Sequence, residues 1–75
     1  MGAYVLINVW PGKFRDVMTT LTHMAGVRHA DPCWGLPDIF AYTDTPDEKT
    51  LNLLVMNKIQ SLEGMERTQT QIVVE

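Results

Sequence analysis

Two histidines, one cysteine and nine carboxylates are the side chains of this 75-residue chain best suited to chemistry. A closed zinc site takes four ligands, usually in tight pairs. His23 falls at the end of a helix, while His29 and Cys33 lie on a strand at an even spacing that places them on one face. Three mixed ligands without a paired motif do not make a metal centre, so the histidines read as structural and the cysteine as a small packing residue. His23 at a helix C-terminus also complements the helix dipole. Ser61 and Cys33 lack the strand-turn-helix signature of an activated nucleophile. No catalytic residue, metal or cofactor is expected.

Asp44, Asp47, Glu48 and Glu63 stand at turns and helix ends, where capping and the dipole account for them. Asp38 is different. It follows Gly35-Leu36-Pro37 at a hairpin and opens an apolar strand, so its carboxylate either orients the turn or receives an ammonium group. Trp10 and Trp34 flank the turns that follow strands, positions suited to interface anchors. Thr68 and Thr70 continue an otherwise apolar strand face, and either line a small polar pocket or mark where the sheet meets water. The glycines are too scattered to cradle a phosphate, and Lys13, Arg15 and Arg28 are too few for a basic patch.

Net charge −3 and a pI near 5.2 argue against direct contact with nucleic acid or an anionic membrane. No apolar stretch approaches the roughly 20 residues of a membrane span. The N-terminus has no basic segment of the kind that opens a secretory signal, so a cytoplasmic location is expected. A single cysteine excludes an intramolecular disulfide. A single small domain over residues 1–75, with neither disulfide nor metal, is marginal alone, and association is the remaining source of stability.

These residues must be positioned by elements that the periodicity reveals. Ala3 to Val9 alternates as a strand apolar on nearly both faces. Pro11-Gly12 breaks it. Phe14, Val17, Met18, Leu21 and Met24 then recur at helical spacing until Gly26, placed as the closing glycine. Val27 to Cys33 is a diluted strand whose Pro32 suits a sheet edge. Gly35-Leu36-Pro37-Asp38 is a turn, and Ile39 to Thr43 a third strand. Thr45-Pro46-Asp47-Glu48 predicts a capping box with Thr45 as N-cap. Leu51, Val55, Ile59 and Leu62 form the stripe of the second helix, with Leu54 on its shoulder, Leu53 exposed and Gly64 closing it. Arg67 to Val74 alternates as the last strand.

The order βαββαβ is a ferredoxin-like α+β arrangement, with two helices on one face of a four-stranded antiparallel sheet. Tyr4, Leu6, Phe40 and Tyr42 share one sheet face; Val5, Ile7, Ile39 and Ala41 share the other. The helices cover only one set. The uncovered set predicts a homodimer joined sheet to sheet, a dimeric αβ-barrel or sandwich.

The ordered series Ala3-Tyr4-Val5-Leu6-Ile7, Pro11-Gly12, Gly26-Val27, Gly35-Leu36-Pro37-Asp38-Ile39, Lys58-Ile59-Gln60 and Thr68-Gln69-Thr70-Gln71-Ile72-Val73-Val74 resembles the effector-binding (RAM) domain of the Lrp/AsnC transcriptional regulators. The chain begins at the first strand, without the helix-turn-helix such regulators usually carry, and so resembles a stand-alone version. The resemblance implies a sheet-to-sheet dimer, frequently a tetramer of dimers, and binding of a free amino acid near the hairpin at contacts between dimers. Carried over, the ligand-binding candidates are Trp34, Gly35, Leu36, Pro37, Asp38, Gln60, Thr68 and Thr70. Trp34 stands where relatives often have a small polar residue, and Pro32 aligns with a pocket aromatic of some relatives.

Three functions follow as expectations. The first is a non-enzymatic amino-acid sensor and oligomerisation module that modulates transcription by co-assembling with a full-length Lrp/AsnC-type regulator. The second is a small αβ-barrel enzyme, monooxygenase-like or isomerase-like, with His29 tuned by Asp31 as its acid or base. The third is a purely structural assembly domain in which Trp34 occludes the pocket.

Overall fold

Strand β1 (Gly2–Val9) is a central strand, and its alternation decides which face of the sheet is core: Ala3, Val5 and Ile7 are fully buried while Tyr4 on the opposite side is partly exposed. In the computed structural model, which describes residues 1–74, it is followed by α1 (Phe14–Thr22), β2 (Val27–Pro32), β3 (Ile39–Asp44), α2 (Glu48–Leu53), a π-helical continuation of α2 (Leu54–Ile59) and β4 (Met65–Ile72). The sheet order is β2-β3-β1-β4, antiparallel throughout. This is the ferredoxin-like α+β fold expected from the sequence.

Both helices pack on the aliphatic face. Val17 and Leu21 of α1 and Leu51, Leu54, Val55 and Ile59 of the second helix close over Ala3, Val5, Ile7, Ile39 and Ala41. β-branched and aliphatic side chains fill such an interlayer space without a polar atom to satisfy. The one buried hydroxyl of the inner strands is satisfied: Thr43 donates to the Ala3 carbonyl at 3.1 Å. Tyr4, Leu6, Phe40 and Tyr42 occupy the other face, in register with one another across β1 and β3. No helix among the described residues is long and apolar enough to cross a membrane.

Several local expectations are corrected. The N-cap of α2 is Asp47, not Thr45. Asp47 has extended backbone and its carboxylate accepts the Thr50 amide at 2.8 Å, while Thr45 is buried and donates to the Asp47 carbonyl. Asp47 wins because Pro46 remains in the approach to the helix, leaving the next short acceptor side chain at the first turn. Gly26 and Gly64 do not close their helices directly. Each holds positive φ (93° and 94°) at the third position of a turn that follows, with Val27 donating to Met24 and Met65 to Leu62. The last strand starts at Met65 rather than Arg67 and ends at Ile72, so Val74 lies beyond it. β2 ends at Pro32, so Cys33, expected as the last residue of that strand, lies just outside it.

The second half of the second helix is π, where the apolar stripe predicts a single continuous α-helix. The Gln60 amide donates to the Val55 carbonyl, five residues back, at 2.8 Å. Wide turns of this kind are uncommon and recur at functional sites.

Candidate functional site

The hairpin loop between β2 and β3 is fixed at its base and open at its tip. The Cys33 amide donates to the Asp38 carbonyl at 2.8 Å, and the Asp38 amide donates to the Ile7 carbonyl at 2.9 Å. The Asp38 carboxylate accepts the Val9 amide at 2.9 Å through Oδ2. That amide lies on the β3 side of β1, two residues beyond Ile7, where the ladder with β3 has ended at the Ile7–Ile39 pair. The turn-orienting role read for Asp38 is therefore present in the geometry. Its Oδ1 makes no hydrogen bond among the described residues, so one acceptor remains.

At the tip, the amides of Trp34, Gly35 and Leu36 likewise donate to nothing among the described residues. Gly35 has φ 94° with open space around it, a conformation in which a side chain is strained and the backbone is bare. Consecutive free amides on a bare loop are donors for an anionic oxygen. The Leu36-Pro37 peptide bond is cis. Trp34 and Leu36 stand in solvent, at 104% and 85% of full exposure. Trp34 therefore does not fill the groove beside it within one protomer. That groove, about 530 Å³, is bounded by Phe14, Pro32, Cys33, Trp34, Gly35 and Asp38. The spacing of Phe14 places it on the apolar stripe of α1; at the first position of the helix its partly exposed ring instead forms one wall of the groove.

Gln60, Thr68 and Thr70 lie across β1 from the hairpin. Gln60 Nε2 donates to Thr68 Oγ1 at 3.0 Å, linking the end of the π turn to β4. Thr68 pairs with Ile7 and Thr70 with Val5, which puts both hydroxyls on the helix side of an edge strand. Gln60 and Thr68 border a separate groove of about 300 Å³ with Met65, Glu66 and Arg67. One protomer thus brings the eight candidates to two neighbouring places and does not merge them into one cavity.

On the open sheet face, His29 Nδ1 lies 3.3 Å from Asp31 Oδ2, and its ring stacks on Tyr42 at 5.6 Å. Tyr42 in turn meets Tyr4 at 5.0 Å, and Tyr4 meets Phe40 at 5.5 Å. The His29–Asp31 pair is more than half exposed on both sides. Nothing there desolvates or confines a reacting group. His23 is held at the end of α1 by the Thr19 carbonyl, 2.9 Å from its Nδ1.

No protein-family model matches the chain, and no functionally described protein matches it by sequence. Solved structures do. FFRP-DM1 is 29% identical, with 97% of each chain covered and a TM-score of 0.93. AsnC of E. coli is 23% identical with a TM-score of 0.91; the match covers 99% of this chain and 50% of AsnC. A transcriptional regulator of Neisseria meningitidis, solved as a complex with L-Met, is 16% identical with a TM-score of 0.90, over 99% of this chain and 49% of the regulator. The chain thus spans nearly all of one such structure and about half of the two regulators. The likeness to Lrp/AsnC regulators read from the sequence holds at the level of the fold.

Proposed function

We propose that this chain is an effector-binding domain of the Lrp/AsnC type that senses a free amino acid and transmits binding through assembly rather than catalysis. The observation that carries the reading is the hairpin tip. Three free amides beside a carboxylate with one free oxygen supply donors for an α-carboxylate and an acceptor for an α-ammonium. The L-Met complex of the structurally similar Neisseria regulator supports an amino acid as the ligand class.

In this reading the exposed aromatic face joins two copies sheet to sheet, and contacts between such dimers bring the hairpin of one copy toward Gln60, Thr68 and Thr70 of another. A ligand bridging them favours whichever oligomer completes the site. The same surfaces serve for co-assembly with a full-length regulator. Trp34 and Leu36, fully presented at the tip, then act as contacts for the neighbouring copy.

The test is light scattering after size exclusion, with and without millimolar amino acids, followed by calorimetry on any that shifts the assembly. Asp38→Asn keeps an acceptor for the Val9 amide and removes the charge that attracts ammonium. It should weaken amino-acid binding about tenfold or more, the scale of one charge-assisted hydrogen bond, while the melting temperature stays close to that of the parent. An assembly indifferent to every amino acid, with no binding heat, would refute the sensor.

A further inference from the structure

At the end of the sheet opposite the hairpin, a third groove of about 580 Å³ runs between the second helix and the turn that follows α1. The two ends of β3, Ile39 beside the hairpin and Asp44 beside this groove, are roughly 17 Å apart at about 3.3 Å per residue. It is a separate place. The groove lies on the helix side, so a dimer formed through the open sheet face leaves it accessible.

We propose that this groove binds a small organic anion with a compact branched hydrocarbon tail, its carboxylate on the Lys58 ammonium and its tail over Leu53 and Leu54. Three observations converge. The walls are mainly apolar, with Ala25 and Pro46 facing Leu53 and Leu54. Leu53 is half exposed, so its side chain has surface to give to a ligand. Gly26 lets the turn approach the helix closely, since a Cβ there would come within 2.9 Å of Leu54 Cδ2.

Charge selects the sign of the ligand. The groove has one carboxylate and one ammonium. Asp44 is already met by the chain's own N-terminal amine at 3.4 Å. Lys58 has no ion-pair partner among the described residues. Asp44 stands before the helix and Lys58 in its π half, separated along the axis by on the order of 15 Å at ordinary helical rise, so an anion at Lys58 is well removed from the Asp44 charge. The side-chain amide of Asn57, also without a hydrogen bond among the described residues, offers a donor beside Lys58 for an oxo or hydroxyl oxygen next to the carboxylate.

The π turn contributes the geometry. Thr50, Leu53–Leu54 and Asn57–Lys58 line the groove in successive turns, and the Gln60-to-Val55 bond widens the last of them. A ligand that fits has an apolar body one turn long and an anionic head at the wide end. A branched 2-oxo acid has that shape, and it lacks the ammonium that the hairpin's Asp38 would recognise.

The experiment is an amide chemical-shift titration of the full chain with 4-methyl-2-oxopentanoate. The expected result is saturable shifts at Gly26, Leu54, Asn57 and Lys58, with Trp34 to Leu36 unmoved. Lys58→Gln should weaken binding about tenfold or more, Lys58→Arg should restore it, and Leu53→Asp should abolish it. Both positions are solvent-facing, so the variants retain the fold, which their own spectra verify. The uncharged ketone 4-methylpentan-2-one should not bind. Absence of saturable shifts at millimolar acid, shifts centred on the hairpin, or affinity unchanged in Lys58→Gln would each overturn the proposal. Amino-acid sensing at the hairpin is read separately, from shifts at Trp34 to Leu36 on adding amino acids.

Discussion

The two faces of the sheet are made from the same strands by alternate residues, yet they differ in chemistry and in cover. The helix-covered face consists of Ala3, Val5, Ile7, Ile39 and Ala41, all fully buried. Opposite it, Tyr4, Phe40 and Tyr42 lean on one another at 5.0 to 5.5 Å between ring centroids and keep water on their outer surfaces. Aliphatic side chains fill an interior permanently closed to solvent. Tyrosines tolerate both states, because the ring buries well while the hydroxyl remains satisfied in water. The His29–Asp31 pair and the β4 glutamines Gln69 and Gln71 add a polar margin to the aromatic patch. An apolar centre with a polar margin is the anatomy of an association surface.

Substitutions on each face can break this contrast. The largest effect belongs to the covered face: Ile7→Ala, on a central strand under both helices, should cost about 2–5 kcal/mol in denaturant unfolding because the cavity cannot collapse. On the open face, Tyr4→Ala should leave the unfolding of the protomer nearly unchanged and weaken the proposed sheet-to-sheet dimer by on the order of 2 kcal/mol in sedimentation equilibrium. Equal losses in both experiments would erase the distinction between the faces. Thr43→Val keeps the shape of the core and removes the bond to the Ala3 carbonyl, with an expected loss of about 1 kcal/mol in thermal unfolding.

The smallest effect lies outside both faces, at Asp47. The Thr50 side chain, and then its amide, hold the Asp47 carboxyl below its ordinary 3.8. A carboxyl depressed by folding stabilises the protein fully above its unfolded value and ceases to do so as pH falls through the folded value. Asp47→Asn should therefore leave the unfolding midpoint flatter against pH below about 4 than in the parent. Identical acid limbs would remove the cap from the account.

Periodicity made the fold legible because strand alternation and helical stripes are direct images of burial: the residues of β1 and β3 assigned to one face do share it, and Leu53 is exposed as expected, while which of the two faces the helices cover is decided only by packing. The misplaced cap shows where that logic stops. Thr45 and Asp47 are both competent N-caps, and the choice depends on a hydrogen bond whose geometry no local pattern fixes. The π turn was illegible for a related reason. Leu51, Val55 and Ile59 recur every fourth residue, a spacing that an α-helix tolerates and a wider turn also fits. At the site, residue types pointed to Asp38 and the hairpin, but Oδ2 is engaged by the Val9 amide of another strand, just past the end of the β1–β3 ladder. Such a bond exists only in three dimensions.

The pairing of β1 with β4 also sets how the sheet must come together. Ala3 lies opposite Ile72, so a central strand has both its edges bonded only when segments far apart in sequence meet. Until that contact forms, a strand that is apolar on both sides is unpaired along one edge. The entropy of closing so long a loop is lost before the ladder bonds offset it, which slows folding. Misassociation along the open edge is the hazard of that interval.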